Sequence, residues 1–391
     1  MIGLAEAQAR LLASIGVLDV EHIPVAQAVG RYAAADVLAK RTQPAADLSA
    51  MDGYALAGDG PWQVIGESAA GRAYREPITA GQAVRIFTGA VVPQGADRVV
   101  MQEEALLTGE ELRLGGDHPK SGQHIRHAGG DFATGDVLIK KGDLLTAARI
   151  ALAIMGGHAT LPVHQRPRIA LLSTGDELVK PGMATGLDQI PNSNGPMLAA
   201  LLATESCLVV ELPVVRDDLK ALEQAIKAAQ YDIQCDILVT IGGASVGDHD
   251  LVRPALLGAG ATLDYWKVAM RPGKPVMAGH LGDMIVLGLP GNPVSAYVTA
   301  LLFLVPALRA MAGANDPFLA KSLRRLGEPL AANGPRVDHI RAIETEDGVK
   351  PVGVNDSAAL VSLAKATVLI IREPAAEAAE IGETVAIYHL A

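Results

Sequence analysis

The sequence is poor in cysteine and in basic charge, and each shortage excludes a class of protein. Its two cysteines, Cys207 and Cys235, cannot form a disulfide framework or supply a zinc site alone. Its 33 Lys and Arg residues are outnumbered by 43 Asp and Glu, which gives a net charge of −10. This balance argues against a broad surface for nucleic acid or an anionic membrane. We expect both cysteines to be buried and reduced.

Long apolar runs are also scarce. The longest stretch, 300–308, contains Pro306 and is shorter than the roughly 20 residues that a membrane-spanning helix needs. The first 15 residues include Glu6 and Arg10 and lack the uninterrupted apolar segment of a signal peptide. We therefore expect a cytoplasmic protein.

Length and apolar patterning predict an α/β multidomain protein. About one domain per 150 residues gives two to three domains for 391 residues, and half of the residues are apolar. We expect a helical and β-rich region at 1–165, with a β barrel or sandwich, because short strands there alternate with Gly and Pro. Strands alternating with helices predict a central parallel sheet at 166–314. Short strands return at 315–391, where Asp347-Gly348 predicts a hairpin.

A glycine-rich turn follows the strand predicted near 237–241. Backbone N–H groups at Gly242, Gly243 and Ser245 could hold an anion there. Asp248 and Asp250 follow directly, and paired carboxylates beside a phosphate suit Mg²⁺. Alternatively, Asp250 caps the next helix.

The same turn spells Gly-x-Ser-x-Gly, which is also typical of the nucleophile elbow of α/β-hydrolases. Ser245 would be the nucleophile, and later acids and histidines complete the possible triads: Asp264 or Asp283, with His280, His339 or His389. No His-Gly-Gly-Gly motif precedes the turn to supply an oxyanion hole, which disfavours this interpretation.

Two further segments predict an anion site at the ends of the central strands. After Pro290, Asn292 suits a helix N-cap and Pro293 the first helical position, so a helix N-terminus would point at the sheet edge. A cluster of three cations stands out in an acidic chain and predicts an anion-binding loop, unless the charges are merely solvated: Lys267, Arg271 and Lys274. No Walker motif precedes Lys274, which argues against a P-loop ATPase.

Other polar residues are candidate ligands. Glu177 follows another predicted strand and should lie on the same rim. Ser193 opens the next helix, where it could bind a heterocycle, although simple capping is the favoured interpretation. Zinc binding by His118, His124 and His127 is disfavoured, because no cysteine or helical His-x-x-x-His pair accompanies them.

Six motifs in order resemble the molybdopterin molybdenumtransferase family, which is related to the gephyrin E domain. They lie at 49–55, 85–90, 173–178, 245–250, 271–275 and 288–295. The resemblance implies a central domain of the molybdopterin-binding fold between β-barrel modules. It also implies an enzyme that inserts molybdate into adenylylated molybdopterin and releases AMP with Mg²⁺. The family commonly has lysine where this chain has Arg271, and an aromatic residue where it has Leu251.

The resemblance also implies functions for individual residues. The polar positions of the active cleft would be Asp52, Thr88, Asp131, Glu177, Asp217 and Asp250. The cationic loop would contain Lys267, Arg271 and Lys274. Pro290 and Pro293 would form the rigid turn beside the substrate, and Arg341 and Ser357 would bind molybdate. Asp250 and Glu177 are the candidate Mg²⁺ ligands, and Asp52 and Glu177 would orient groups or move protons. A homodimer is implied, with molybdopterin adenylyltransferase as a transient partner.

Two alternative functions are compatible with the same resemblance. The central fold also serves molybdopterin adenylylation, although long terminal modules are unnecessary for that reaction. A non-catalytic scaffold like gephyrin is the second, and the intact Asp52, Glu177 and Asp250 argue against it.

Overall fold

A computed structural model describes residues 1–116, 120–242, 251–353 and 356–390, the side chains of residues 265 and 266 excepted. In these ranges the chain forms an N-terminal, a central and a C-terminal six-stranded sheet, with smaller two-stranded ladders. The helices are Leu4–Ala13, Ala147–Met155, Asn194–Leu202, Leu219–Lys227, Val252–Gly258, Pro293–Met311 and Leu360–Lys365.

The N-terminal region holds the first sheet. In spatial order its strands are Arg98–Met101, Gly53–Leu56, Gln82–Ile86, Trp62–Ser68, Glu111–Leu114 and Ala105–Thr108. Two-stranded ladders join Val20–Pro24 to Thr160–His164, Leu48–Ser49 to Ile125–Arg126, and Val37–Leu38 to Val137–Ile139. Helix Leu4–Ala13 buries Ala7 and Leu11 in the core of the central sheet instead of this one. Short strands at these positions agree with the alternation of apolar residues and turn residues.

The central sheet is mixed, so the prediction of an all-parallel sheet is wrong at one edge. In spatial order its strands are Leu208–Glu211, Arg168–Ser173, Ile237–Ile241, Met284–Leu289, Pro275–Leu281 and Thr262–Lys267. The first four are parallel, and the last two pair antiparallel. Only Gly282 and Asp283 separate Pro275–Leu281 from Met284–Leu289, and so short a connection permits only a hairpin.

The long helix Pro293–Met311 packs in the central core. Its 19 residues are long and apolar enough to cross a membrane, but 83% of its most apolar stretch is buried inside the protein, as in a core helix. A π-helical turn at Ala300–Leu304 precedes Pro306, whose ring cannot fit a regular α-helical interior. The predicted helix from 293 to about 311 is therefore confirmed.

The C-terminal sheet takes one strand from the central region. In spatial order its strands are Met270–Arg271, Val337–Thr345, Val368–Arg372, Thr384–His389 and Ser322–Arg325, with Gly348–Pro351 beside the second. The hairpin predicted at Asp347-Gly348 is confirmed, and Gly348 has a φ of 120° that favours glycine. Pairing of Met270–Arg271 with Val337–Thr345 joins the two regions directly above the central sheet.

The two cysteines are free thiols, and the prediction that both are buried is confirmed for Cys235 but not for Cys207. Cys235 is buried and Cys207 is half-buried, and burial raises the pKa of these thiols to about 11 and about 12. Because the thiolate is the reactive species and burial disfavours it, we expect both thiols to react slowly in the folded protein. We expect the native protein to react slowly with a disulfide reagent and the urea-unfolded protein to expose two thiols rapidly. Rapid labelling of the native protein would contradict this burial.

Candidate active site

A cavity of about 1190 Å³ opens at the carboxyl ends of the parallel central strands. The predicted site residues that it brings together are Glu177, Ser193, Asp217, Gly242, Arg271, Lys274, Pro290, Pro293, Arg341 and Ser357. The strands ending in Ser173, Ile241 and Leu289 are each followed directly by residues that line this cavity: Thr174, Gly242 and Pro290. Ligands of open α/β sheets bind at such strand ends, so this cavity is the candidate active site.

Carboxylates and amides form part of the cavity lining, and the carboxylates Glu177 and Asp217 are called its carboxylate side. Thr174 Oγ1 donates a 2.9 Å hydrogen bond to Asp217 Oδ1, which fixes this carboxylate in the lining. The Asn194 amide donates to the Gly291 carbonyl over 2.7 Å and links the turns after two strands. The Ser193 side chain makes no capping hydrogen bond to helix Asn194–Leu202, so the prediction that it only caps is wrong. Its place in the cavity lining leaves it suited to a ligand.

Four cations also line the cavity, and together they are called its cationic side: Arg271, Lys274, Arg336 and Arg341. The sequence analysis did not identify Arg336, because nothing in the sequence around it indicates that this segment reaches the cavity. Lys267 ends the edge strand Thr262–Lys267 and is not among the described residues that line the cavity. The predicted three-cation loop therefore contributes two cations to the cavity, and the C-terminal region contributes two more.

Arg271 is held by an ion pair with Asp338 of the C-terminal sheet. Its Nε donates to Asp338 Oδ2 over 3.0 Å, and its Nη2 donates to the same oxygen. The carboxylate is nearly inaccessible, at 2% exposure, whereas the Arg271 side chain is 44% exposed. Hydrogen bonding to Asp338 raises the pKa of Arg271, so its positive charge is secured.

Arg341 and Ser357 meet at the start of the long helix. Arg341 Nη1 donates to the Asp356 carbonyl over 2.9 Å, which supports the turn that contains Ser357. The Ser357 carbonyl accepts a 3.0 Å hydrogen bond from the N–H of Val294. One of the free N–H groups that begin the long helix is thus satisfied by the C-terminal region.

Asn292 occupies the N-cap position, but its side chain does not cap the helix as predicted. Its Nδ2 instead donates a 3.0 Å hydrogen bond to Ser357 Oγ. The Ser357 carbonyl replaces the expected cap at Val294, which leaves the amide free to hold the serine. Pro293 does occupy the first turn, as predicted.

Asp52, Thr88 and Asp131 are exposed residues of the N-terminal region and are not among the described residues that line this cavity. The Thr88 N–H and Oγ1 both donate to Asp52 Oδ1, over 2.7 and 2.8 Å. The Arg85 guanidinium stacks on the rings of Tyr54 and Phe87 at 5.0 and 4.9 Å from their centroids. The two Thr88 donors, aided by the charge of Arg85, lower the pKa of Asp52. Asp52, Thr88 and Arg85 form a second polar cluster.

Replacing Thr88 by Val is expected to raise the pKa of Asp52 toward its usual value. The substitution removes the hydroxyl donor and keeps the backbone donor, and a carboxylate with fewer donors is protonated more easily. A ¹³C NMR titration of the Asp52 carboxyl, assigned with D52N, measures the shift. Thr88→Ser retains the hydroxyl and should leave the titration unchanged. Equal pKa values in T88V and the wild type would show that the hydroxyl does not act on Asp52.

Several predicted residues lie outside the described ranges: Gly243, Ser245, Asp248, Asp250 and His118. Of the other candidate zinc ligands, His124 contacts Gln123, and His127 contacts Asp47. No group of three or more His, Cys, Asp or Glu side chains is placed to hold a metal ion within the ranges that the structure covers.

Three family models match successive parts of the chain. The MoeA N-terminal region (domain I and II) matches residues 2–157, and the probable molybdopterin binding domain matches residues 170–310. The MoeA C-terminal region (domain IV) matches residues 324–390. Together these matches cover most of the sequence in the family's order.

Relatives and solved structures agree with these matches. A molybdopterin molybdenumtransferase of Haemophilus influenzae is 35% identical, over 80% of this chain and 78% of its own length. One from Nostoc sp. is 33% identical, over 90% and 85%. The molybdopterin biosynthesis moeA protein of Pyrococcus horikoshii has the same fold over both complete chains, with a TM-score of 0.83 and 26% identity. The resemblance is confirmed, and the chain belongs to the MoeA family of molybdopterin molybdenumtransferases.

Proposed function

We propose that this protein inserts molybdate into adenylylated molybdopterin and releases AMP. The observation that carries the proposal is a cavity lined by both cations and carboxylates, most of whose lining residues belong to the region that matches a molybdopterin binding domain. Both substrates are anions. Because the chain as a whole carries a charge of −10, a site that binds them needs a local group of cations. Relatives that match most of the chain are named molybdopterin molybdenumtransferases, so the alternative reaction, molybdopterin adenylylation, is not favoured.

The cationic side suits oxyanions. Arg271 and Arg341 provide planar guanidinium groups, which match phosphate and molybdate oxygens with paired donors, and Lys274 adds a point charge. When the bond between the AMP phosphate and the pterin phosphate breaks, negative charge grows on the departing phosphate. Fixed cations that stabilise this charge lower the barrier. Ser193 and Asn194 supply polar groups that can orient the pterin.

Magnesium is compatible with the carboxylate side. Mg²⁺ in phosphate sites is usually held by one or two carboxylates together with phosphate oxygens and water, and Glu177 and Asp217 provide two carboxylates in the cavity lining. When bound, the ion would neutralise charge on the phosphate being cleaved. Glu177 and Asp217 would hold it, with Asp250, which lies outside the described ranges, as the third candidate.

We also propose a homodimer in which a second copy brings the Asp52 and Thr88 cluster to the cavity. In the single chain these exposed residues do not line the cavity, although the resemblance assigns them to the cleft. Light scattering coupled to size-exclusion chromatography tests this, and a monomeric mass would contradict it. The adenylyltransferase that makes the substrate is the proposed transient partner.

The decisive experiment mixes the purified protein with adenylylated molybdopterin, Mg²⁺ and either molybdate or tungstate. We expect AMP release that depends on the oxyanion. Release of diphosphate from ATP and molybdopterin would instead indicate adenylylation, and no turnover in either assay would indicate a scaffold. Omission of Mg²⁺ tests the metal separately.

A further inference from the structure

Asp338 is a buried carboxylate that forms an ion pair with Arg271, one of the cations that line the cavity. It is not among the described residues that line the cavity, whereas Arg336, His339 and Arg341 are. Its Oδ2 accepts both hydrogen bonds from Arg271, and its Oδ1 is buried without a hydrogen-bond partner in the described part of the chain. An unpaired buried carboxylate oxygen is costly, so packing alone does not favour an aspartate here.

The ion pair crosses the junction between two regions. Arg271 and Asp338 are direct partners in the parallel ladder between Met270–Arg271 and Val337–Thr345. Beyond Arg271 the chain turns at Gly273 toward Lys274. The carboxylate therefore fixes a cation of the central region against the sheet that carries Arg341.

The geometry of Arg271 leaves part of its guanidinium available. Nε and Nη2 are bound to Asp338, and Nη1 makes no hydrogen bond within the described residues. The side chain is 44% exposed and lines the cavity. When one edge of a guanidinium is held by a carboxylate, the N–H donors on its other edge stay in a fixed plane, where they can bind a ligand.

We propose that Asp338 is a positioning residue that holds Arg271 in the orientation needed to receive a tetrahedral oxyanion. The identity of this oxyanion, molybdate or the phosphate of the adenylate, rests on the proposed function. Without the carboxylate, the guanidinium can take several rotamers, and its donors leave the cavity. Misplacement of a binding group by about 1 Å can reduce turnover about 100-fold.

Titration calorimetry of D338N with molybdate alone and with AMP alone tests the proposal without relying on turnover. We expect Kd for at least one of these anions to rise about 10- to 100-fold. A selective rise identifies which anion Arg271 receives. D338E keeps the charge and should restore part of the affinity. Equal or tighter binding of both anions by D338N would overturn the proposal, as would a wild-type protein that binds neither anion.

A double-mutant comparison separates positioning from general destabilisation. In an R271A background, D338N should weaken binding no further, because Asp338 acts through Arg271. Additive losses would contradict this. The matched control is E205Q, which breaks the Arg309–Glu205 ion pair away from the cavity lining. E205Q should lower the unfolding temperature without changing anion affinity.

Wild-type AMP release is measured in parallel. If the wild type binds the anions but releases no AMP, the proposed function fails, and the calorimetric comparison still decides the role of Asp338. If AMP is released and D338N matches the wild type in affinity, KM and kcat, only the positioning role fails.

Discussion

Replacing Lys274 by Gln is expected to lower the rate of AMP release about 100-fold, because one fixed cation of the cavity is lost. The lysine follows a glycine with a φ of 99°, and its carbonyl accepts a 2.8 Å hydrogen bond from Val268, so its backbone is anchored at the cavity edge. Glutamine keeps most of the side-chain length but removes the charge. The measurement is the rate of AMP release at increasing molybdate and substrate concentrations, which separates kcat from KM.

Two other lysines serve as comparisons in this experiment. Lys227, at the exposed end of helix Leu219–Lys227, provides the matched control, and K227Q should leave the rate unchanged. Lys267 was grouped with Lys274 by its sequence spacing but does not line the cavity. We expect K267Q to have a much smaller effect than K274Q. Equal losses in both variants would favour the sequence grouping over the cavity geometry, and full activity of K274Q would exclude its role in charge stabilisation.

The ends of the parallel strands could be predicted from sequence because their signals are local. Apolar runs followed by turn residues gave the positions of Glu177 and Pro290, and parallel strands bring such ends together. The two antiparallel strands, Thr262–Lys267 at the edge and Pro275–Leu281 beside it, were missed. Pro272, Gly273 and Pro275 make the segment between them resemble a loop, although Pro275 itself begins a strand.

The C-terminal contribution to the cavity could not be derived from local patterns. Arg271 and Asp338 are 67 residues apart, and neither segment indicates that they pair in one ladder. Arg336 enters the cavity for the same reason, since its position depends on that ladder. Asn292 illustrates a different limit: the sequence predicts its N-cap position correctly, but its side chain binds Ser357 of the C-terminal region instead of capping the helix.

Gly273→Ala is expected to displace Arg271 and Lys274 from the cavity together. At its φ of 99° any side chain is strained, by about 1–3 kcal/mol. A Cβ atom would also lie 2.4 Å from Thr299 Oγ1 and 3.1 Å from Met270 Cε. Because Thr299 is fully buried in the long helix, the turn must move away from it, and Arg271 and Lys274 move with the turn. We expect AMP release to fall at least about 100-fold.

Gly260→Ala is the control that separates strain from collision. Gly260 has a nearly equal φ of 95°, and a Cβ atom there meets nothing within 4 Å. G260A should show the strain alone, whereas G273A should lose about 1–3 kcal/mol more in urea unfolding through overpacking. Thr299 Oγ1 has no hydrogen-bond partner in the described part, so Thr299→Ala removes the obstructing atom without breaking a hydrogen bond. The double variant G273A/T299A should therefore recover part of the activity, and equal activity in G273A and G260A would show that the turn does not depend on close contact with the long helix.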